Sequence, residues 1–217
     1  AIAYGGSEAN PSQTGKTESW DGSSWTEVND LNTARRYLAG TPGSPYTASL
    51  AFGGYPTGGS PNAQTESWNG SSWTEVNDLN TSRGILNGSG IQTAALAFGG
   101  YTTTYVANTE SWNGSSWTEV NDMSRPNGRG SMQGVGTTTA SLAAGGSPPI
   151  SALTEDWNGS SWSETTDLPT GVSSAGGIGS STSAFIANGR QGPSSAISVN
   201  AYEWDSTSNT TKTISTD

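Results

Sequence analysis

Residues 65–80 run Thr65-Glu66-Ser67-Trp68-Asn69-Gly70-Ser71-Ser72-Trp73-Thr74-Glu75-Val76-Asn77-Asp78-Leu79-Asn80. A short polar strand ends in Trp68, Asn-Gly turns the chain, and a second strand begins at Trp73. Asn and Gly both tolerate the positive φ that tight hairpin turns require, so the stretch predicts a β-hairpin turned at Asn69-Gly70. The same wording returns at 17–32, 109–124 and 154–169. A worn copy lies at 201–217, where Trp204-Asp205 survives and Asn209 stands at the second Trp position. The first Trp of each copy is Trp20, Trp68, Trp112, Trp157 and Trp204, at spacings of 48, 44, 45 and 47 residues. Repeats of this period build solenoids, propellers or arrays.

Ahead of each hairpin lies a short apolar run closed by a glycine pair, at 1–6, 48–54, 94–100 and 140–146, with 183–189 as its last form. Each reads as a strand buried on both faces. A Gly-rich strand type lies between repeats at 35–40, 83–88, 129–134 and 172–177, with Leu38, Leu86, Met132 and Ala175 in one register. Gly-rich strands suit a place where backbones crowd, such as the axis of a ring. No stretch keeps a 3.6-residue period, so no helix is expected. The unit is therefore four short strands: a Gly-rich inner strand, an apolar strand and the two arms of the hairpin. Five units, spanning about 1–33, 34–81, 82–124, 125–170 and 171–217, predict an all-β chain. The expected architecture is a single five-bladed β-propeller of four-stranded antiparallel blades over 1–217. The first unit begins at its apolar strand. Its inner strand is expected to lie upstream of Ala1, to come from a partner, or to be missing.

The composition supports a core built on few residues. Only 30% of the 217 residues are hydrophobic, but nine are Trp. Each Trp buries roughly 150–250 Å², on the order of 4–6 kcal/mol of transfer energy before entropy. The net charge of −10 argues against nucleic acid and against anionic membrane surfaces as partners, and no apolar run approaches the length of a membrane-spanning helix, so no membrane insertion is expected. Much of that acidity is repeated scaffold: Glu18, Glu66, Glu110 and Glu155 share one position, Glu27, Glu75, Glu119 and Glu164 a second, and Asp30, Asp78, Asp122 and Asp167 a third. The chain has no Cys and no His, which removes thiolate chemistry, disulfides and the commonest general base and metal ligand.

The runs into Gly5-Gly6, Gly53-Gly54, Gly99-Gly100 and Gly145-Gly146, each followed one strand later by Trp20, Trp68, Trp112 or Trp157, resemble kelch-type repeats. Kelch units usually carry Tyr before Trp, whereas these read Thr-Glu-Ser-Trp. The wording Glu-Ser-Trp-Asn-Gly-Ser-Ser-Trp resembles the near-identical repeats of phage tail and virion proteins, marine ones especially. Asp21-Gly22-Ser23-Ser24-Trp25 is similar to the Asp-box of sialidase propellers, one residue short, and that box is itself a structural hairpin. The resemblance implies a propeller that serves as a binding or structural module, in a virion or outside the cell. Its implied partner is a host-surface glycan or protein, with other virion proteins and self-association as further options. Kelch-like rings host binding platforms and enzymes alike, so fold alone does not decide.

Residues repeated in every unit are most simply structural. The Trp pairs read as cement between blades, and the Asn-Asp pairs such as Asn77-Asp78 as turn formers bonding nearby backbone. No dense Asp loop offers the six or more oxygens a calcium ion needs, so neither metal nor cofactor is expected. Glycoside hydrolysis needs two carboxylates in different environments. The acids outside the repeat are few (Glu8, Asp21, Asp156, Glu203, Asp205 and Asp217), so no catalytic residue is assigned and a glycosidase-like enzyme ranks third. A purely architectural role ranks second. Arg35, Arg83 and Arg129 share the start of the inner strand. They either pair with a repeat acid or form a partial guanidinium ring at the channel mouth, suited to carboxylates or sulfates. The loops after Gly-Gly diverge while the scaffold repeats, as expected of a rigid platform presenting distinct contacts. Tyr55, Tyr101 and Tyr105 on those loops are candidates for stacking on a sugar or anchoring a protein. Tyr37, Asn87 and Gln133 vary along the inner strand and are candidates for lining the channel mouth.

Overall fold

The computed structural model describes residues 1–8, 12–125, 127–191, 196–197, 200–206 and 210–214. Asn209 and Asp217 lie outside these, as do parts of the loops at 7–16 and 190–200. The described residues form strands and turns without a helix, in five small antiparallel sheets set in a ring: a five-bladed β-propeller. Blade one has β1 (Ile2–Tyr4), β2 (Thr17–Trp20) and β3 (Trp25–Val28). On the rim, β4 (Arg35–Arg36) pairs with β7 (Tyr55–Pro56). Blade two runs outward as β5 (Ala39–Gly40), β6 (Ser49–Phe52), β8 (Thr65–Trp68) and β9 (Trp73–Val76). Blade three is β10 (Asn87–Ile91), β11 (Ala94–Phe98), β12 (Thr109–Trp112) and β13 (Trp117–Val120). Blade four is β14 (Gln133–Gly136), β15 (Ser141–Ala144), β16 (Thr154–Trp157) and β17 (Trp162–Glu164). A second rim sheet joins β18 (Val172–Ser173), β21 (Arg190–Gln191) and β22 (Ala196–Ile197). Blade five is β19 (Gly176–Gly179), β20 (Ser183–Ala187), β23 (Ala201–Asp205) and β24 (Thr210–Ile214).

The Trp hairpin is present in blades one to four, but its turn differs from the expected one. Trp68 stands opposite Trp73, so the loop is four residues long rather than two. Only Gly70 takes positive φ, at 96°. Asn69 acts through its side chain: Oδ1 accepts from the backbone amides of Ser71 and Ser72, both at 2.9 Å, and from the Ser71 hydroxyl at 3.0 Å. This is the local side-chain capture that favours Asn and Asp in turns. In blade one Asp21 takes the same place, and the amides of Ser24 and Ser23 hold its carboxyl down at about 2, from an ordinary 3.8. The folded value lies below the unfolded one, so the contribution is full above about pH 4 and fades as pH falls toward 2. Between those values the hairpin of blade one is expected to loosen while the Asn hairpins do not. Carboxyl and amide NMR titration of Asp21, Ser23 and Ser24 measures it, and an Asp21 midpoint near 3.8 contradicts it.

Each Asn-Asp pair divides its labour. Asp78 Oδ1 accepts from the Thr65 amide at 3.1 Å and closes the open end of its own hairpin. Asn77 Nδ2 reaches the Ser115 carbonyl, at 2.8 Å, in the hairpin of the next blade. The two tryptophans divide theirs too. Trp112 Nε1 donates to the Gln92 carbonyl within its own blade, whereas Trp117 Nε1 donates to Thr65 Oγ1 of the preceding blade, each at 3.0 Å. The Trp117 ring meets Phe52 edge-on, with centroids 4.9 Å apart. Trp73 repeats this on Thr17 and Tyr4, and Trp162 on Thr109 and Phe98. Both Trp of each pair pack in the cluster at the junction, as expected, and the second also hydrogen-bonds across it.

The inner strands begin four residues later than expected. Arg35, Arg83 and Arg129 are not on them. Tyr37, Ile85, Ser131 and Ser174 take φ of 54°, 59°, 53° and 55°, which breaks each predicted strand and sends the chain down the axis only at Ala39, Asn87, Gln133 and Gly176. Left-handed backbone at a β-branched residue such as Ile85 is a true outlier and persists only when its surroundings enforce it. Here the enforcement is backbone bonding from blade to blade. The Ser174 amide donates to the Ser131 carbonyl, Ser131 to Ile85 and Ile85 to Tyr37, at 2.8–3.0 Å.

Apolar clusters fill the junctions between blades one and two, two and three, three and four, and four and five. None fills the junction of blades five and one among the described residues. The apolar strands of blades two and four are buried on both faces as expected, as is all of β11 but its first residue. Those of the outer blades are not, for β20 alternates exposed and buried and β1 is partly open. On this seam Ile178 is 72% and Trp25 49% exposed, and Ala201 stands where the other blades offer a Thr hydroxyl.

Candidate functional site

The divergent loops after Gly-Gly and the left-handed residues meet on one face, at the mouth of the ring. Tyr55 leads into the loop of blade two, and its ring sits edge-on to Tyr37 at 6.2 Å. Gly84 lies beneath Tyr55, where any side chain would collide with the ring. Tyr101 and Tyr105 from the loop of blade three pair edge-on at 5.1 Å. Burial raises the pKa of Tyr55, helped by Tyr101 and Tyr105, so the two pairs share one neighbourhood. The Arg36 guanidinium lies 5.3 Å from the Tyr37 ring centroid, within cation–π range. Tyr37 is the most open of the four, at 56% exposure, and the others are half-buried. Beside it opens a recess of about 200 Å³ lined by Tyr37, Ile85, Ser131 and Ser174 over Leu38, Leu86 and Met132. Sequence reasoning missed Arg36, Ile85, Ser131 and Ser174. The available signal was their register: three of them, Ile85, Ser131 and Ser174, directly precede Leu86, Met132 and Ala175.

Asn87 and Gln133 line the axial cavity of about 400 Å³ below the mouth, and their amides are engaged. Asn87 Nδ2 donates to the Met132 carbonyl at 2.6 Å while its Oδ1 accepts from the Gly134 amide at 3.1 Å. Gln133 Nε2 donates to the Gly134 carbonyl at 2.9 Å and the Gly177 carbonyl at 3.5 Å. Both side chains staple one inner strand to the next.

The arginines do not form a guanidinium ring at the mouth. Arg35, Arg83 and Arg129 are 0–1% exposed, each inside a blade and paired with Glu66, Glu110 or Glu155 at 3.0–3.1 Å. Carbonyls of Gly99, Asn108 and Ala97 accept the remaining terminal N–H groups of Arg83. The Glu110 carboxylate also accepts from the Asn80 amide and side chain, at 2.7 and 2.9 Å, which ties the incoming linker to the blade. Burial lowers the pKa of Arg83 and Glu110 opposes it. Such a pair answers its charge internally and is buried out of reach of a ligand. In blade five both partners change together: Val172 replaces the Arg and Tyr202 the Glu, each buried.

The acids outside the repeat are scattered. Glu8 pairs with Lys16 at 3.2 Å, Asp21 caps its turn, and Asp156, Glu203 and Asp205 lie on β16 and β23. The mouth recess and the axial cavity are lined by other residues. The chain matches no protein-family model and no curated protein.

Proposed function

We propose that this propeller is a non-enzymatic recognition module that binds a saccharide on its tyrosine face. The observation that carries the reading is the gathering of two tyrosine pairs, Tyr37–Tyr55 and Tyr101–Tyr105, on the mouth face, with Tyr37 lining the recess and the other three on loops that diverge on a scaffold that repeats. Aromatic faces suit the apolar face of a sugar ring, and Tyr hydroxyls and Arg36 suit its rim. The backbone beneath is held by junction bonds, so little ordering is needed on binding. On the kelch-like pattern and the phage-type wording of the repeats, the module is a virion or tail component and the saccharide belongs to a host surface.

A glycan array probed with the 217-residue chain is expected to show binding. Tyr37→Ala removes the most exposed ring without touching a buried contact. It is expected to weaken that binding about tenfold, the scale of one lost aromatic contact, with the melting temperature unchanged. Silence of the folded protein across the array, or binding indifferent to Tyr37→Ala, overturns the saccharide reading.

The architectural reading draws on a different observation. Ile178 and Phe185 of blade five and Trp25 of blade one are exposed along the open seam, and such surface suits contact with protein.

A further inference from the structure

Blade one repeats its neighbours except for one segment, and three of its groups are left where that segment works elsewhere. In blades two to five an inner strand pairs with the apolar strand, whereas in blade one the inward edge of β1 is free. In blades two to four the repeat Glu is 1% exposed and bound by an Arg from the preceding linker; Glu18, in the same register, is exposed with no ion pair or hydrogen bond to its carboxylate among the described residues. In blades two to five the first Trp donates its indole N–H to a carbonyl of the turn leading from the inner strand, and no described residue forms that turn for Trp20. The backbone series Ser174–Ser131–Ile85–Tyr37 likewise has no member in blade one.

We propose that the free edge of β1 is a docking site for a polypeptide segment with the chemistry of the chain's own linker and inner strand. That segment carries an Arg that reaches Glu18, an apolar residue three positions later and a glycine five positions after the Arg. The spacing is that of Arg83, Leu86 and Gly88, and of Arg129, Met132 and Gly134. Two observations select this occupant over any other strand. Glu18 is the complementary charge, in the register that binds an Arg in blades two to four, whereas blade five, with Val172 in place of the Arg, has Tyr202 in place of the Glu. The axial cavity is lined by Ala1, Ile2 and Tyr4 together with Ala39–Thr41 and Gly88, so it runs along the edge the strand must join. Main-chain pairing provides the affinity and the Arg pocket the specificity, as in other strand additions.

The test titrates the 217-residue chain into a fluorescent peptide of residues 80–91, followed by anisotropy. Saturable binding is expected. Arg83→Leu in the peptide and, separately, Glu18→Gln in the protein are each expected to weaken it about tenfold or more. Glu18→Arg in the protein is expected to rescue a peptide carrying Arg83→Glu. Hydrogen exchange at the amides of Ile2–Tyr4 is expected to slow when peptide is bound. Glu18 is exposed and unpaired among the described residues, so both protein variants should melt like the parent, which a thermal scan checks. No saturation at millimolar protein, or binding equal for all peptide and protein variants, overturns the proposal.

Discussion

Glu110→Gln is expected to destabilise the propeller by about 3–5 kcal/mol in urea unfolding, the usual result of leaving a buried charge unpaired. The substitution keeps the shape and removes the negative charge facing Arg83, which is 0% exposed. It also weakens the acceptor for the Asn80 and Thr81 amides that brings in the linker from blade two. The double variant Arg83→Val with Glu110→Tyr is expected to recover most of that loss. Blade five already holds this arrangement, with Val172 and Tyr202 buried in one apolar cluster. The ion pair is also imperfect, since Arg83 Nε is buried without a hydrogen-bond partner. Replacing a buried pair of this kind by well-packed residues is often neutral or stabilising. If the double variant is no better than the single, the pair and the Val-Tyr arrangement are not interchangeable solutions to the same site.

Trp117→Ala is expected to cost about as much, roughly 3–5 kcal/mol, and Trp25→Ala less than about 1 kcal/mol, although both occupy the same place in the repeat. Trp117 is 5% exposed, bonds Thr65 across the junction and meets Phe52 edge-on. Trp25 faces the open seam at 49% exposure. Trp117→Phe keeps a ring against Phe52 and loses the bond to Thr65, a cost of about 1 kcal/mol from the bond itself plus the smaller ring. Parallel urea curves of the three variants give the comparison. Equal losses at Trp117 and Trp25 would contradict a junction-based role for the second Trp.

The blade count and the order of strands were legible because the Trp and Gly-Gly positions recur at nearly fixed spacing, and a unit with two unsatisfied faces needs neighbours. What was not legible followed from side chains acting in place of backbone. Asn69 looked like a positive-φ turn residue because Asn-Gly commonly is one, but Trp68 and Trp73 pair directly and the longer loop turns on the Asn carbonyl oxygen. The inner strands looked longer because the Arg and Gly positions run on without a breaker; the break comes at Tyr37, Ile85, Ser131 and Ser174, residue types that do not advertise left-handed backbone. The arginines were open to two readings, and burial of their Glu partners distinguished them. At the mouth the tyrosines could be named from loop divergence, while their convergence with Arg36 required the ring to bring blades two and three together.

The left-handed residues at the mouth separate two jobs that usually compete. Their amides and carbonyls join the blades, and every residue type has those atoms. Their side chains (Tyr, Ile, Ser and Ser) line the recess and differ from blade two to blade four. A substitution there can therefore rewrite what the mouth recognises while the joints beneath it stay the same, provided the new side chain tolerates φ near 55°. Asn, Asp and Gly meet that condition at least cost, so a library limited to those types, Ser and Tyr would explore ligands without first having to be screened for folding.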